Sequence, residues 1–297
     1  MAYNDNSCAA SKGNTQLSQC LDDLGYDYIL MWSAEDYEID TEANSKLEAT
    51  YVDDIDAKNL YPFPAFEEIE PNEEDDVRQE LATGLSIFIR EGKYGGMGRL
   101  RVPACNLEAL RSFNSLKGRA FIITSNGKIM GTSPDDTVFK GFELSDLRVS
   151  KIKGTDGSTA RFVEVYYQLK NPNEMGDYLA IPEITSWDPT TLKGLLNVTL
   201  TVDSSAEGSV VVSVASDCDS EAIEGLVEGD FTILASDGTT EMLAADDFAD
   251  NNDGTYTFTF TTPVLPADTY TVNLKTAANQ TTGGYDPGTA ASFTISE

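Results

Sequence analysis

Histidine is absent from all 297 residues. That absence removes Ser-His-Asp and Cys-His catalysis, H-E-x-x-H metal sites and every mixed Cys/His zinc site. Cysteine is scarce: Cys8, Cys20, Cys105 and Cys218, with no C-x-x-C pair, which argues against an all-cysteine zinc site. Four free thiols are the expectation, with a Cys8–Cys20 bridge as the alternative. No stretch approaches the ~18 consecutive apolar residues that a membrane span requires. The opening Met1-Ala-Tyr-Asn-Asp-Asn-Ser-Cys8 has neither the basic nor the apolar region of a secretory leader. The expectation is a protein made and kept in a cytoplasm until that cell is lysed. Fifty acidic residues offer so many carboxylate pairs that no single pair points to glycoside chemistry. The chain is read as a non-enzyme with no catalytic residues, no cofactor and no metal.

Basic residues are also few, 20 Lys/Arg against 50 Asp/Glu, and their distribution is uneven. Residues 1–89 carry a net −17, residues 90–170 a net +6, and residues 171–297 a net −19. A basic middle between acidic flanks repels copies of itself in most orientations and attracts them in one. Gripping nucleic acid needs Lys/Arg against phosphate, so an acidic chain can face DNA without holding it. Hydrophobic content of 40% with 9% aromatics is that of a folded protein. The length suggests two domains.

The composition changes across Pro182-Glu-Ile-Thr-Ser-Trp-Asp-Pro-Thr-Thr-Leu-Lys-Gly194, from which on only Lys193 and Lys275 are basic. Downstream, alternating runs at 197–202, 209–215, 231–235, 255–261, 269–275 and 291–296 predict short strands of a β-sandwich, with one helical stretch near 220–226. Upstream, strands are expected at 85–90, 120–130 (a hairpin whose Asn126-Gly127 suits a type I′ turn), 138–144, 147–152 and 159–169. Asn106–Asn114 reads as one short Asn-capped helix with apolar Leu107, Leu110 and Phe113. Residues 60–82 form a long acidic connection, where Phe63, Phe66 and Ile69 suggest packing.

Other segments carry less. Gly92-Lys-Tyr-Gly-Gly-Met-Gly98 lacks the spacing of a phosphate-binding loop and reads as a flexible turn. Asp246–Gly254 fails the EF-hand pattern and reads as a solvated hairpin loop. Glu73, Glu74, Asp75 and Asp76 form a solvated acidic run that could also meet a basic surface on a neighbouring subunit. The basic middle contains Arg90, Lys93, Arg99, Arg101 and Arg111. It lacks the interleaved aromatics of a nucleic-acid platform, and subunit contact is favoured over nucleic acid. Salt near ~1 M should then weaken assembly.

Two local patterns point to a family. Leu265-Pro-Ala-Asp-Thr-Tyr270-Thr-Val resembles the tyrosine-corner entry of immunoglobulin-like and fibronectin-like domains, with Tyr270 in a structural role. Asn252-Asp-Gly-Thr-Tyr-Thr-Phe resembles a strand opening of bacterial Ig-like domains, so 195–297 is read as such a domain. With a β-rich upstream domain (1–188), one short helix, long loops and a Pro/Gly linker, the whole resembles major tail tube proteins of long-tailed bacteriophages. The resemblance implies a mainly β fold: a tail-tube-like β-sandwich or barrel domain followed by an Ig-like β-sandwich. It also implies a homo-oligomer whose hexameric rings stack into a tail tube that passes DNA without specific binding, among other virion proteins and without membrane. Residues 1–25 would be an N-terminal arm and 58–84 a bridging loop. Strands within 85–169 would line the lumen, with Glu143, Asp146 and Glu164 as its acidic lining. The Ig-like domain would decorate the outside. A head decoration or head–tail connector protein is the alternative in the same class. From another class, the Ig-like domain would be a carbohydrate- or surface-binding module, with Tyr285 as its loop-tip aromatic.

Overall fold

A computed structural model describes residues 25–154, 160–176, 178–238, 247–260, 266–274, 284–286, 288 and 290–295. The fold is mainly β. It divides into two compact units, Met1–Lys193 and Gly194–Glu297. The N-terminal arm expected at 1–25 lies outside the described residues except for Gly25, as do Cys8 and Cys20. Neither Cys105 nor Cys218 is a free thiol, which corrects the expectation of free thiols at both.

The first unit contains, in chain order, β1 (Asp27–Ser33), α1 (Glu48–Asp56), β2 (Leu60–Pro62), β3 (Glu68–Pro71), β4 (Val77–Glu80), β5 (Ser86–Arg90), β6 (Gly95–Leu100), α2 (Asn106–Arg111), β7 (Arg119–Thr124), β8 (Ile129–Thr132), β9 (Phe142–Val149), β10 (Val163–Leu169), α3 (Pro172–Gly176) and β11 (Leu179–Ala180). Nine strands form one sheet, ordered β11-β8-β7-β9-β10-β6-β3, with β1 joining β7 and carrying β2. Leu30 of β1, Ala120 and Ile122 of β7, Leu147 and Val149 of β9, and Val163 and Val165 of β10 all enter one buried cluster. One face of these neighbouring strands therefore covers a single core. The opposite face of β1 and β7 is covered as well: Phe121 is fully buried against Phe139 and Tyr37.

Several expectations are corrected here. The Asn126-Gly127 hairpin forms, but only Gly127 has positive φ, +73°. Gly127 N donates to Thr124 O and Thr124 N to Lys128 O, the pattern of a three-residue turn closed by a glycine bulge. The α2 helix starts at Asn106 with no side-chain cap bond, although Leu107, Leu110 and Phe113 do pack on the core as expected. The runs 138–144 and 147–152 do not make two strands; β9 spans the gap between them. From Gly95 onward the expected turn at Gly92–Gly98 becomes strand β6. Its glycines are there because neighbours occupy the side-chain space: a Cβ at Gly96 would overlap the Tyr167 hydroxyl, and one at Gly98 the Phe66 ring.

The second unit contains β12 (Leu196–Ala206), β13 (Ser209–Ser216), β14 (Phe231–Leu234), β15 (Asp247–Asp250), β16 (Thr255–Thr259), β17 (Thr269–Leu274), β18 (Tyr285–Asp286) and β19 (Ala291–Thr294). They form two sheets, β15-β16-β13-β12-β18 and β14-β17-β19. Val210, Val212 and Val214 of the first and Tyr270, Val272 and Leu274 of the second belong to one core cluster, which makes this unit a β-sandwich. The period-two Thr/Ser alternation places hydroxyls outward and aliphatic or aromatic groups inward. Residues 220–226 are not helical. Ala222 bridges to Ala215, Ser220 sits at φ +58°, and Ile223 and Leu226 anchor the segment in the core. Asp247–Asp250, read as loop, pairs with β16.

Candidate assembly surface

The β3–β6 pair does not end with its sheet. Ladder bonds continue past it, from Asn72 N to Gly95 O (2.9 Å) and from Glu74 N to Lys93 O (3.0 Å). Then β4 and β5 pair only with each other, in a separate two-stranded ribbon. The turn at its tip closes as the 124–128 turn does, with Gly84 at φ +79° and Leu81 N donating to Leu85 O. This finger is what the expected 58–84 bridging loop becomes: β2, β3 and β4 are strands, with Phe63 and Phe66 buried beneath. At ~3.3 Å per residue, the stretch from residue 75 to the tip is on the order of 25–30 Å long.

Every residue of β5 is exposed. Leu85 and Ile87 share one face by strand parity, at 60% and 42% exposure; Ile89, the extra residue where the register shifts, is 55% exposed, and Leu81 at the turn 38%. Phe88, half-exposed on the other face, carries Arg78 over its ring at 6.0 Å. A lone two-stranded hairpin in water is marginal, and a contiguous exposed apolar strand with a free edge marks a place for another chain.

The acidic run meets the finger at its root. Glu74 accepts from Arg90 (3.3 Å) and from Gln168 Nε2 (3.2 Å). Asp76 accepts from Gly92 N (3.1 Å) and lies 3.5 Å from Arg78. Glu73 and Asp75 are exposed, and Lys93 is half-buried. Arg99 is held across the β3–β6 edge by Glu68 (2.6 Å) and Glu70 (2.9 Å), over the Phe162 ring at 5.2 Å. Arg101 pairs with Glu67 at 3.1 Å. Arg111 is exposed at the end of α2, apart from this group. Arg90, Arg99 and Arg101 therefore have acidic partners within their own chain.

The three acids assigned to a lumen differ in setting. Asp146 is exposed, 3.9 Å from Arg148. Glu143 is half-buried and pairs with Lys170, while its backbone N–H donates to the buried Glu174 (2.7 Å). Glu164 is buried, in contact with Lys153 and accepting from the Tyr166 hydroxyl (2.9 Å), with Arg99 at 3.8 Å. Burial alone would raise the pKa of Glu164, but Lys153, Tyr166 and Arg99 bring it below the ordinary carboxylate range. The outer face of β9, β10, β6 and β3 is thus laced with ion pairs of both signs.

In the second unit the Tyr270 hydroxyl donates to Pro266 O at 2.8 Å, the bond of a tyrosine corner. Tyr285 lies in β18 beside Leu196 and packs on the core. Phe231, Tyr256, Phe258, Phe260 and Phe293 are core residues. Among the described residues no group of three Cys, Asp or Glu side chains could hold a metal ion, and no helix is long and apolar enough to cross a membrane. No protein-family profile matches the chain, and no curated protein matches its sequence.

Sequence reasoning missed β1 and the buried Asp27 on it. Asp27 accepts from the Tyr94 (2.9 Å) and Tyr167 hydroxyls. Nothing local marks this acid among fifty, because its partners lie 67 and 140 positions away.

Proposed function

We propose that this chain is a virion structural protein of long-tailed bacteriophages. In this reading it is a major tail tube subunit that forms hexameric rings, stacks them into a tube conducting DNA without gripping it, and carries its Ig-like unit as a decoration. The observation that carries the reading is the finger. A solitary subunit leaves Leu81, Leu85, Ile87 and Ile89 in water. Fully burying one such side chain is worth ~1.5–3 kcal/mol, so four half-exposed ones leave roughly 3–6 kcal/mol to be gained by a contact. A projecting strand on each subunit that docks on a different surface of the next makes a head-to-tail contact, and such contacts propagate as rings and stacks.

Three features support the same reading. The chain is mainly β in two units. The face bearing Asp146, Arg148, Glu164 and Lys153 mixes both signs, so it would neither hold nor strongly repel a passing polyanion. Six aromatics of the second unit are core residues and the other two, Phe248 and Tyr285, pack partly buried against the same core, which gives the glycan-binding alternative little platform. Because Arg90, Arg99 and Arg101 already have partners in their own chain, the weight of assembly shifts from charge to the apolar finger. A head decoration or connector subunit would use the same finger and give no open-bored stack.

Negative-stain electron microscopy across protein concentration, at low salt and at ~1 M salt, tests this. Rings or tubes with an open bore are expected at both salts, since apolar burial is not screened. An Ile87→Asp/Ile89→Asp variant should stay folded and dispersed. Wild-type monomers under every condition overturn the tail-tube reading, and tubes from the variant remove the finger from it.

A further inference from the structure

The finger joins its sheet through a root unlike either. After the bonds at Asn72–Gly95 and Glu74–Lys93 the ladder stops. Gly92 N is taken instead by the Asp76 side chain, and pairing resumes irregularly at Val77–Arg90. A Cβ at Gly92 would overlap the Glu74 carbonyl, so the strands approach here only because residue 92 is glycine. A side chain standing in for a ladder bond, beside an obligatory glycine, is the geometry of a hinge.

A buried acid lies beneath it. One oxygen of Asp27 receives both the Tyr94 and the Tyr167 hydroxyls. Tyr94 belongs to the strand returning from the finger, and its carbonyl accepts from Leu169 N at 2.8 Å. The Tyr167 hydroxyl lies against Gly96 of β6. Glu73, on the outgoing strand, is a like charge close enough to Asp27 to add to the rise of its pKa. From β7 the residue opposite is Thr124, which does not titrate. We propose that protonation of Asp27 sets how firmly the finger is held at its root: locked when the carboxyl carries its proton, freer when it is ionised.

The reason lies in solvation. An ionised Asp27 is deprived of water and faces Glu73. Opening the root admits water to Asp27, and Tyr94 must move to allow it, taking the returning strand along. A protonated Asp27 gains little from water and no longer repels Glu73. Burial raises the carboxyl above its ordinary value of 3.8, the two hydroxyls pull it back only in part, and Glu73 adds to the rise. The closed root therefore binds the proton more tightly than the open one. Opening should increase with pH between the ordinary and raised values, by up to about tenfold per pH unit, and then level off. This concerns the single subunit and stands apart from what the finger docks on.

Amide hydrogen exchange on the soluble full-length chain, corrected for intrinsic rates between pH ~4 and ~8, tests it. Protection at Asn72, Glu74, Gly92 and Leu169 should fall as pH rises, by up to about tenfold per unit. It should be flat with pH in Asp27→Asn, while amides of the second unit behave alike in both proteins. Identical root profiles for wild type and variant overturn the proposal, as does a change spread evenly over all amides. Tyr94→Phe provides a second arm. Losing one donor to the carboxylate should move the fall in root protection to higher pH, and an unmoved profile counts against the latch.

Discussion

At the scale of single residues, two hydroxyl bonds of similar form had opposite visibility. Tyr270 reaches Pro266, four positions upstream, so the pattern that announces it is contained in eight consecutive letters. Replacing Tyr270 with Phe leaves the Pro266 carbonyl without that donor. It should cost about 1 kcal/mol, read as a lower urea midpoint at unchanged slope. Asp27 and its tyrosines come together across strands that are not neighbours in the sheet order, and no linear pattern encodes that. Their contribution to stability has a definite sign. The folded-state pKa of Asp27 is raised by burial, so folding is favoured most below the ordinary carboxylate value and loses stability as pH rises through the raised one. Asp27→Asn keeps an oxygen for both hydroxyls and removes the charge. It should therefore be more stable than wild type near neutral pH, with the gap closing toward pH ~4 in denaturant titrations across pH.

At the scale of elements, alternation was the dependable signal. Ser209–Ser216 and Thr269–Leu274 form strands close to where Val/Thr periodicity put them. Failures cluster where a neighbour decides conformation. Gly95–Leu100 looks like a loop because its glycines have no propensity for a strand, yet Phe66 and Tyr167 occupy the space their side chains would fill. Gly98→Ala should accordingly destabilise the first unit by about 1–3 kcal/mol, measurable by thermal unfolding. A result within experimental error would mean that Phe66 can move aside. Residues 220–226 have a helix-like composition, but pairing with β13 takes their backbone bonds. The finger was half legible: 85–90 reads as a strand, whereas its partner strand was hidden in an acidic stretch whose Val77, Arg78, Gln79 and Glu80 show no apolar alternation.

At the scale of the molecule, the composition changes across residues 182–194 and the structure divides after Lys193. Each unit has its own core. Removing residues 194–297 should leave a soluble, folded first unit, checked by circular dichroism and by retention of a cooperative melt. An unfolded product would mean that the first core depends on the second unit. Charge by blocks was legible, but its use was not: Arg90, Arg99 and Arg101 of the basic middle have acidic partners inside the chain, across the β3–β6 edge and the finger root, and surface pairs of this kind contribute little. The exposed β5 strand has a consequence in time as well as in space. A chain that carries an unsatisfied apolar edge has a limited shelf life in dilute form. If the finger docks between copies as proposed, then above some threshold concentration those copies should find one another, ordered where a nucleus is present and tangled where none is. A cell making it in quantity would need to supply that nucleus early, and a purification that concentrates the free subunit without one should show a lag followed by abrupt loss of soluble protein.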